Sequence, residues 1–311
     1  LSDVLFICTA NYLENIPGPL KDRLELIQLS SYTEIEKLHI AKEHLIVKQV
    51  ELNGLKIDQV EFTDEAIKYI IRSYTREAGV RELERKIASC LRKVAVNFVK
   101  NPDIGKTVVD VDKVREFLLT PPFEDTQKEK EPQIGVVTGL AYTEYGGDIL
   151  PIEVNYFKGK GSLILTGHLG DVMKESASIA LDYVKANADL FGIDADVFAN
   201  NDIHIHVPEG AVPKDGPSAG IAMACAIISC LSKHPVSPDV AMTGEVTLRG
   251  QALPIGGLRE KSLAALRSGI KKIVVPKENK KDVDELPVEV KNSLEIIYMT
   301  KVEDAVKECF I

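Results

Sequence analysis

The segment Pro213-Lys214-Asp215-Gly216-Pro217-Ser218-Ala219-Gly220 runs directly into Ile221-Ala222-Met223-Ala224-Cys225-Ala226-Ile227-Ile228-Ser229-Cys230-Leu231. The second part is apolar nearly all round, the pattern of a helix buried on every side. A serine opens that helix. Free N–H groups and the positive end of the helix dipole favour negative charge there, so an oxyanion formed on a substrate carbonyl can be stabilised. Gly216, Ala219 and Gly220 leave room for a peptide backbone to approach. Serine is also a preferred N-cap, and the local context leaves Ser218 open to both readings.

Gly216-Pro217-Ser218-Ala219-Gly220 satisfies G-x-S-x-G, but the nucleophile elbow needs a strand before the serine and an acid and a histidine after it. Here Pro213, Lys214 and Asp215 make a poor strand. His234 is the only later histidine, and no Asp or Glu lies between it and Ser218. Upstream, His204 and His206 alternate on one strand and share a face. They lack carboxylate or cysteine companions at metal spacing, and there is no H-E-x-x-H, so a structural role is expected and no metal site is assigned.

A lysine can serve as base if burial removes its charge at neutral pH. Lys261 follows Gly256-Gly257-Leu258 and opens a helix carrying Leu263, Ala264 and Leu266. A cation at a helix start is opposed by the dipole, which would also lower its pKa.

Around this segment the pattern is mixed α/β. Residues 161–166 are strand-like, 171–191 helical, and 203–207 alternate as a half-buried strand does. Val240 to Leu248 reads as a strand, Arg259 to Ser268 as a helix, and 272–275 and 296–298 as closing strands. Upstream, Thr120-Pro121-Pro122 to Pro132 holds Glu124, Asp125, Lys128, Glu129, Lys130 and Glu131 with few apolar residues, a linker composition. Residues 32–119 have helical periodicity. Thr63 caps one helix, and Val80, Leu83, Ile87, Leu91, Val94 and Phe98 line one face of the longest. Arg85, Lys86, Arg92 and Lys93 take its outer face. Residues 1–30 read as a strand, a loop with Asn11, and the turn Ile16-Pro17-Gly18-Pro19. Opening on Leu1-Ser2-Asp3 before the apolar Val4-Leu5-Phe6-Ile7, the chain reads as part of a longer one.

Hydrophobic residues make up 45% and charged residues 27%; a net charge of −9 argues against a surface dominated by phosphate binding. No apolar run is long enough for a membrane span, and no signal peptide is apparent. Five cysteines at irregular spacing, mostly in apolar segments, read as reduced buried thiols.

Three segments together, Asp215 to Gly220, Met242-Thr243-Gly244-Glu245-Val246-Thr247-Leu248-Arg249-Gly250 and Gly256-Gly257-Leu258-Arg259-Glu260-Lys261, resemble the signature blocks of the Lon protease family, in order. Gly170-Asp171-Val172-Met173-Lys174-Glu175-Ser176 is similar to a block of its bacterial form. The resemblance implies a serine–lysine dyad of Ser218 and Lys261, with Thr243 orienting the lysine. It places Asp215 in a loop that takes active and inactive shapes, and has N–H groups around Gly216 to Ser218 hold the oxyanion. The fold implied is a helical AAA+ lid followed by an α+β protease domain: 1–31 as the end of the AAA+ large subdomain, 32–120 as lid, 121–132 as linker and 133–311 as proteolytic domain.

Residues 6–11 resemble a sensor-1 strand, with Asn11 near an ATP γ-phosphate. Residues 19–25 resemble an arginine-finger block with Arg23, and 75–81 a sensor-2 block with Arg81. No G-x-x-x-x-G-K-[ST] occurs, so ATP and Mg2+ are expected to serve the parent protein only. The resemblance implies unfolded or tagged protein substrates, a homohexameric parent, possible secondary DNA binding, no membrane, and the bacterial cytosol, with the mitochondrial matrix as the other compartment. A non-enzymatic AAA+ assembly or DNA-binding module is the competing reading.

Overall fold

A computed structural model of the chain describes residues 3–10, 16–27, 31–101, 104–123, 128–143, 146–208 and 214–311. The chain divides into two compact units, Leu1–Ser31 and Tyr32–Ile311. In the first, residues 4–10 form no strand, contrary to the apolar pattern. A strand requires a neighbouring ladder, and among the described residues this segment has none. Leu5 and Ile7 are more than four-fifths exposed. A single helical turn, Gly18–Lys21, follows Pro17.

The second unit begins with helical structure. α1 (Glu34–Ile40) is held by a capping box in which Glu36 N–H donates to Thr33 Oγ1 and Thr33 N–H donates to the Glu36 carboxylate. A π-helical turn, Ala41–Leu45, joins it to α2 (Ile46–Leu52). α3 (Asp64–Tyr74) starts at Thr63, whose Oγ1 accepts the Ala66 N–H at 3.1 Å, as the sequence predicts. α4 (Arg81–Lys100) buries Leu83, Ile87, Leu91 and Val94 on the expected face. Arg85, Arg92 and Lys93 are exposed and Lys86 half-buried. α5 (Val111–Leu118) closes the group. The all-helical pattern is interrupted once: β1 (Val60–Phe62) pairs in parallel with β2 (Thr107–Val109), where β-branched residues cluster. Leu38, Ile67, Ile70, Ile87, Leu91 and Val114 share one core here.

The remainder is built on a seven-stranded mixed sheet. Its strands are β3 (Val136–Thr143), β4 (Gly146–Lys158), β5 (Leu163–Thr166), β6 (Asn201–His206), β7 (Val240–Met242), β8 (Lys272–Pro276) and β9 (Glu295–Met299). They lie in the order β9-β8-β7-β3-β4-β6-β5. β4 runs antiparallel to β3 and to β6, and the other neighbours are parallel. Helices cover both faces: α6 (Asp171–Ala186) and α7 (Gly220–Ser232) one, α8 (Leu258–Arg267) the other. α9 (Val302–Cys309) packs beside α7.

The strand alternation explains this layering. Val274 joins the α7 core while Ile273 and Val275 join the α8 core, so β8 is apolar without a break because both faces are covered. In α7 every residue from Gly220 to Cys230 is buried, as its sequence requires. The strand predicted over 240–248 ends at Met242. Thr243 and Gly244 leave the ladder, and Glu245–Val246 instead pairs antiparallel with Ala252–Leu253. A Cβ at Gly244 would lie 2.6 Å from Met299 Cε and 2.8 Å from Ile221 Cγ1, so a side chain there would have to displace both neighbours. Cys90, Cys225, Cys230 and Cys309 are buried free thiols, and Cys8 is exposed.

Candidate active site

Ser218 lies in a short 3₁₀ turn, Pro217–Ala219, that feeds α7. It is not the cap of that helix: α7 starts at Gly220 after Ala219, with no side-chain cap. The turn is shaped by Gly216, whose φ of 122° is open to glycine, and by Pro217 at its first position. The Ser218 main chain is pinned where the strand broke: Gly244 N–H donates to its carbonyl at 2.8 Å, and Thr243 Oγ1 donates to the same oxygen at 3.2 Å. A Cβ at Gly220 would stand 2.7 Å from Val246 Cγ1, so the two segments meet at backbone range.

Thr243 is fully buried, and its own N–H donates to the Val274 carbonyl in β8. Its hydroxyl is used twice, because Lys261 Nζ donates to Oγ1 at 3.2 Å. Lys261 is 2% exposed. It is the fourth residue of α8, in the first turn, and burial brings its pKa from the usual lysine value down to about 8. Gly257, at φ 68° with the Tyr142 ring beside its Cα, caps the start of α8. Ser218 Oγ and Lys261 Nζ are not directly hydrogen-bonded. Thr243 links the lysine to the serine's backbone.

Asp215 is exposed, and its Oδ1 accepts the Gly216 N–H at 2.9 Å and the Met173 N–H at 3.0 Å. It thereby caps α6 from outside, favoured by the helix dipole. Gly170 makes room for this carboxylate, since a Cβ there would lie 2.3 Å from Asp215 Cγ. The loop is tied down again where Gly170 N–H donates to the Lys214 carbonyl and Lys214 N–H to that of His168. In this structure the Gly216 N–H is turned to Asp215, and Pro217 has none. Of the three residues 216–218, only Ser218 has an N–H available for an oxyanion.

His204 and His206 both contact Thr166 Oγ1, at 2.9 and 2.7 Å, on the sheet face opposite the buried Ile203 and Ile205. That is the structural role expected of them. Among the described residues no group of three or more His, Cys, Asp or Glu is placed to hold a metal. Arg81 is the first residue of α4, exposed and remote in sequence from the serine; Arg23 is exposed in the first unit. Asn11 and Pro213 lie outside the described residues.

Gly147 belongs to the site as well, though no residue pattern singled it out above. A Cβ on it would stand 2.0 Å from the Glu260 carbonyl oxygen and 2.9 Å from the Lys261 N, so β4 lies against the backbone that carries the lysine. The signal was present: paired glycines inside a strand mark a close backbone approach.

The chain resembles known proteins over its whole length. Residues 108–311 match the Lon protease (S16) C-terminal proteolytic domain, and residues 51–107 the Lon protease AAA+ ATPase lid domain. It is 59% identical over 310 residues to the Lon protease of Mycoplasma mycoides subsp. mycoides SC, which covers 100% of this chain and 39% of that protein. It is 52% identical to Lon protease 1 of Myxococcus xanthus, over 100% of the chain and 38% of that protein. With the Lon protease of Aquifex aeolicus it shares 53% identity, over 99% of the chain and 38% of the relative. The chain thus spans about two fifths of the length of these curated relatives. With Ser218, Thr243 and Lys261 gathered on a sheet covered by helices on both faces, and with these matches, the chain belongs to the Lon protease family and comprises its lid and C-terminal proteolytic domain.

Proposed function

We propose that the chain is the peptidase portion of an ATP-dependent Lon protease, hydrolysing peptide bonds with Ser218 as nucleophile and Lys261 as general base. The observation that carries this reading is the buried lysine with a pKa near 8, joined through the Thr243 hydroxyl to the main chain of Ser218. A lysine near 8 is partly neutral at physiological pH and can accept a proton.

In this reading neutral Lys261 takes the Ser218 hydroxyl proton as Oγ attacks the peptide carbonyl. The oxyanion is met by the Ser218 N–H at the positive end of α7. The ammonium returns the proton to the leaving amine, giving an acyl-enzyme. Water, deprotonated by Lys261, then releases the acyl group. The missing direct Oγ–Nζ hydrogen bond fits a free enzyme, in which such contacts tighten when substrate binds. Thr243 holds the lysine on the correct side, and Asp215 holds the serine loop against α6.

We place nucleotide use in the longer parent. Arg81 has no hydrogen bond or ion pair among the described residues and borders a groove with Arg85, Arg92 and Glu84, whose carboxylate is taken up by Lys48 and Gln49. A permanently charged, forked guanidinium suits a phosphate, so Arg81 fits a nucleotide contact. Arg23 and Asn11 are assigned the same class of role on resemblance. ATP with Mg2+ supplies the energy for substrate delivery; the peptide chemistry is assigned to side chains of this chain alone. With no phosphate-cradling loop motif in its sequence, the 311-residue chain is expected to turn over no ATP in a coupled assay. Unfolded or tagged proteins in the bacterial cytosol are the proposed substrates and a homohexamer the proposed parent assembly, with DNA contact secondary.

The test is cleavage of an unfolded protein or a fluorogenic peptide by the purified chain and its variants. Activity abolished by both Ser218→Ala and Lys261→Ala supports the dyad; cleavage retained by either variant overturns it. A wild-type chain inert to peptides and to serine-reactive boronates would favour a non-enzymatic assembly module.

A further inference from the structure

The face of α8 away from Lys261 is turned toward the helical half of the same unit. Two residues before the lysine, an Arg259 guanidinium nitrogen lies 3.7 Å from Glu36 Oε2 on α1. The Glu36 carboxylate is already fixed by accepting the Thr33 N–H at 2.7 Å, so α1 sets its position and the arginine follows it. Arg259 Nε is buried with no hydrogen-bond partner among the described residues, so this ion pair is its guanidinium's main anchor.

A second link holds the other end of α8. Asp148, at the start of β4, lies 3.8 Å from Arg76 of the helical half and 3.8 Å from Arg267 at the end of α8. Arg267 also donates to the Gly147 carbonyl at 3.1 Å. α8 is therefore tied to α1 at its first turn, to Arg76 through Asp148 at its last, and rests on Gly147 between. On α1, Lys37 is buried with its Nζ on the Glu77 carbonyl. Its pKa is lowered by burial first, with Arg267 adding to the effect against Glu77, so α1 and α8 lie within each other's fields.

Positions two apart on a helix are about 200° apart around its axis, so Arg259 and Lys261 occupy opposite faces of a short helix. A pull on one face turns the other. We infer that Arg259 is a positioning residue for Lys261: its pairing with Glu36 sets the rotation of α8, and hence the placement of the lysine nitrogen against Thr243, according to where the helical half sits. This rests on the Ser218–Lys261 reading. The pair is long and partly exposed, so the effect is a few-fold change in rate and not an on-off switch.

The experiment measures the rate at which a fluorophosphonate labels Ser218 in the 311-residue chain, followed by intact mass across a pH series, with Ser218→Ala as blank. Arg259→Glu, Glu36→Arg and the double exchange are compared, with circular dichroism as the check on folding. Each single reversal is expected to slow labelling about threefold near neutral pH and to displace the midpoint of the pH profile, and the double exchange to restore both. Singles with wild-type rate and midpoint, or a double exchange as slow as the two singles combined, overturn the inference. Should a single reversal unfold, the double exchange decides alone: wild-type behaviour supports the coupling and slow labelling refutes it. A wild-type chain that is not labelled at all removes the dyad reading, whereas labelling that ignores the Arg259–Glu36 pair removes only this one.

Discussion

Lys261 Nζ sits 3.2 Å from Thr243 Oγ1, two fully buried side chains of which one is a lysine without a carboxylate partner among the described residues. A lone amine in such a place costs stability, since its charged form is desolvated. A threonine hydroxyl is its acceptor, and that hydroxyl's proton goes on to the Ser218 carbonyl.

Replacing Thr243 with valine keeps the shape and removes both hydrogen bonds. The lysine loses the acceptor that favours its charged form, so the rising limb of the pH–rate profile should move to lower pH. The plateau should fall about tenfold because the nitrogen is no longer held in place. Thr243→Ser should retain most activity. Steady-state peptide hydrolysis across pH measures both effects.

For the wild-type chain, activity should climb with pH through about 8, the value to which burial brings Lys261. The sign follows from the role: the neutral amine is the active form, and its share grows as pH passes the pKa. A rate that falls across that range would contradict a lysine base.

Lys261→Met should abolish cleavage and stabilise the fold. Below about pH 8 the lysine is protonated in both folded and unfolded chains, and the desolvation cost is borne in full. Between about 8 and the ordinary lysine value the unfolded chain holds a proton that the folded one lacks, so wild-type stability rises with pH. The methionine variant should therefore gain most near neutral pH, about 2 kcal/mol, and less in alkali. Urea unfolding at two pH values tests this.

Much of this was legible in the sequence, for reasons that are local. α7 is apolar on all sides and can only be buried, α4 repeats its core positions at helical spacing, and Thr63 announces its helix. The nucleophile block was recognisable because its residue types and order are specific. The break after Met242 was not legible, because Val246 and Leu248 continue a strand-like pattern, while the close packing of Gly244 against Met299 and Ile221 is a tertiary contact. Nor was the diversion of the Gly216 N–H to Asp215, which depends on a helix terminus 42 residues earlier in the sequence. The apolar run at 4–7 misled for the opposite reason: β-propensity makes no strand without a partner.

Asp215 supplies an external cap, so Asp215→Ala should lower stability by about 1 kcal/mol. It should also release the loop holding Ser218 and slow cleavage, while Asp215→Asn keeps an acceptor for the Met173 N–H and recovers most of the loss in stability. Thermal unfolding and peptide hydrolysis of the two variants separate the effects.

Gly147→Ala places a methyl where the Glu260 carbonyl now stands, and α8 must move away. Overpacking of this kind costs about 2 kcal/mol, and here it displaces the helix bearing Lys261. Cleavage should fall more than for Gly105→Ala, where a Cβ meets nothing within 4 Å and the backbone φ suits any residue.

The most direct measurement is to trap the serine covalently. The chain is incubated with a fluorophosphonate or a peptide acylating agent, digested, and mapped by mass spectrometry. The adduct is expected on Ser218, absent in Ser218→Ala, and formed far more slowly in Lys261→Ala. An adduct on another residue, or one whose rate does not depend on Lys261, would contradict the serine–lysine dyad.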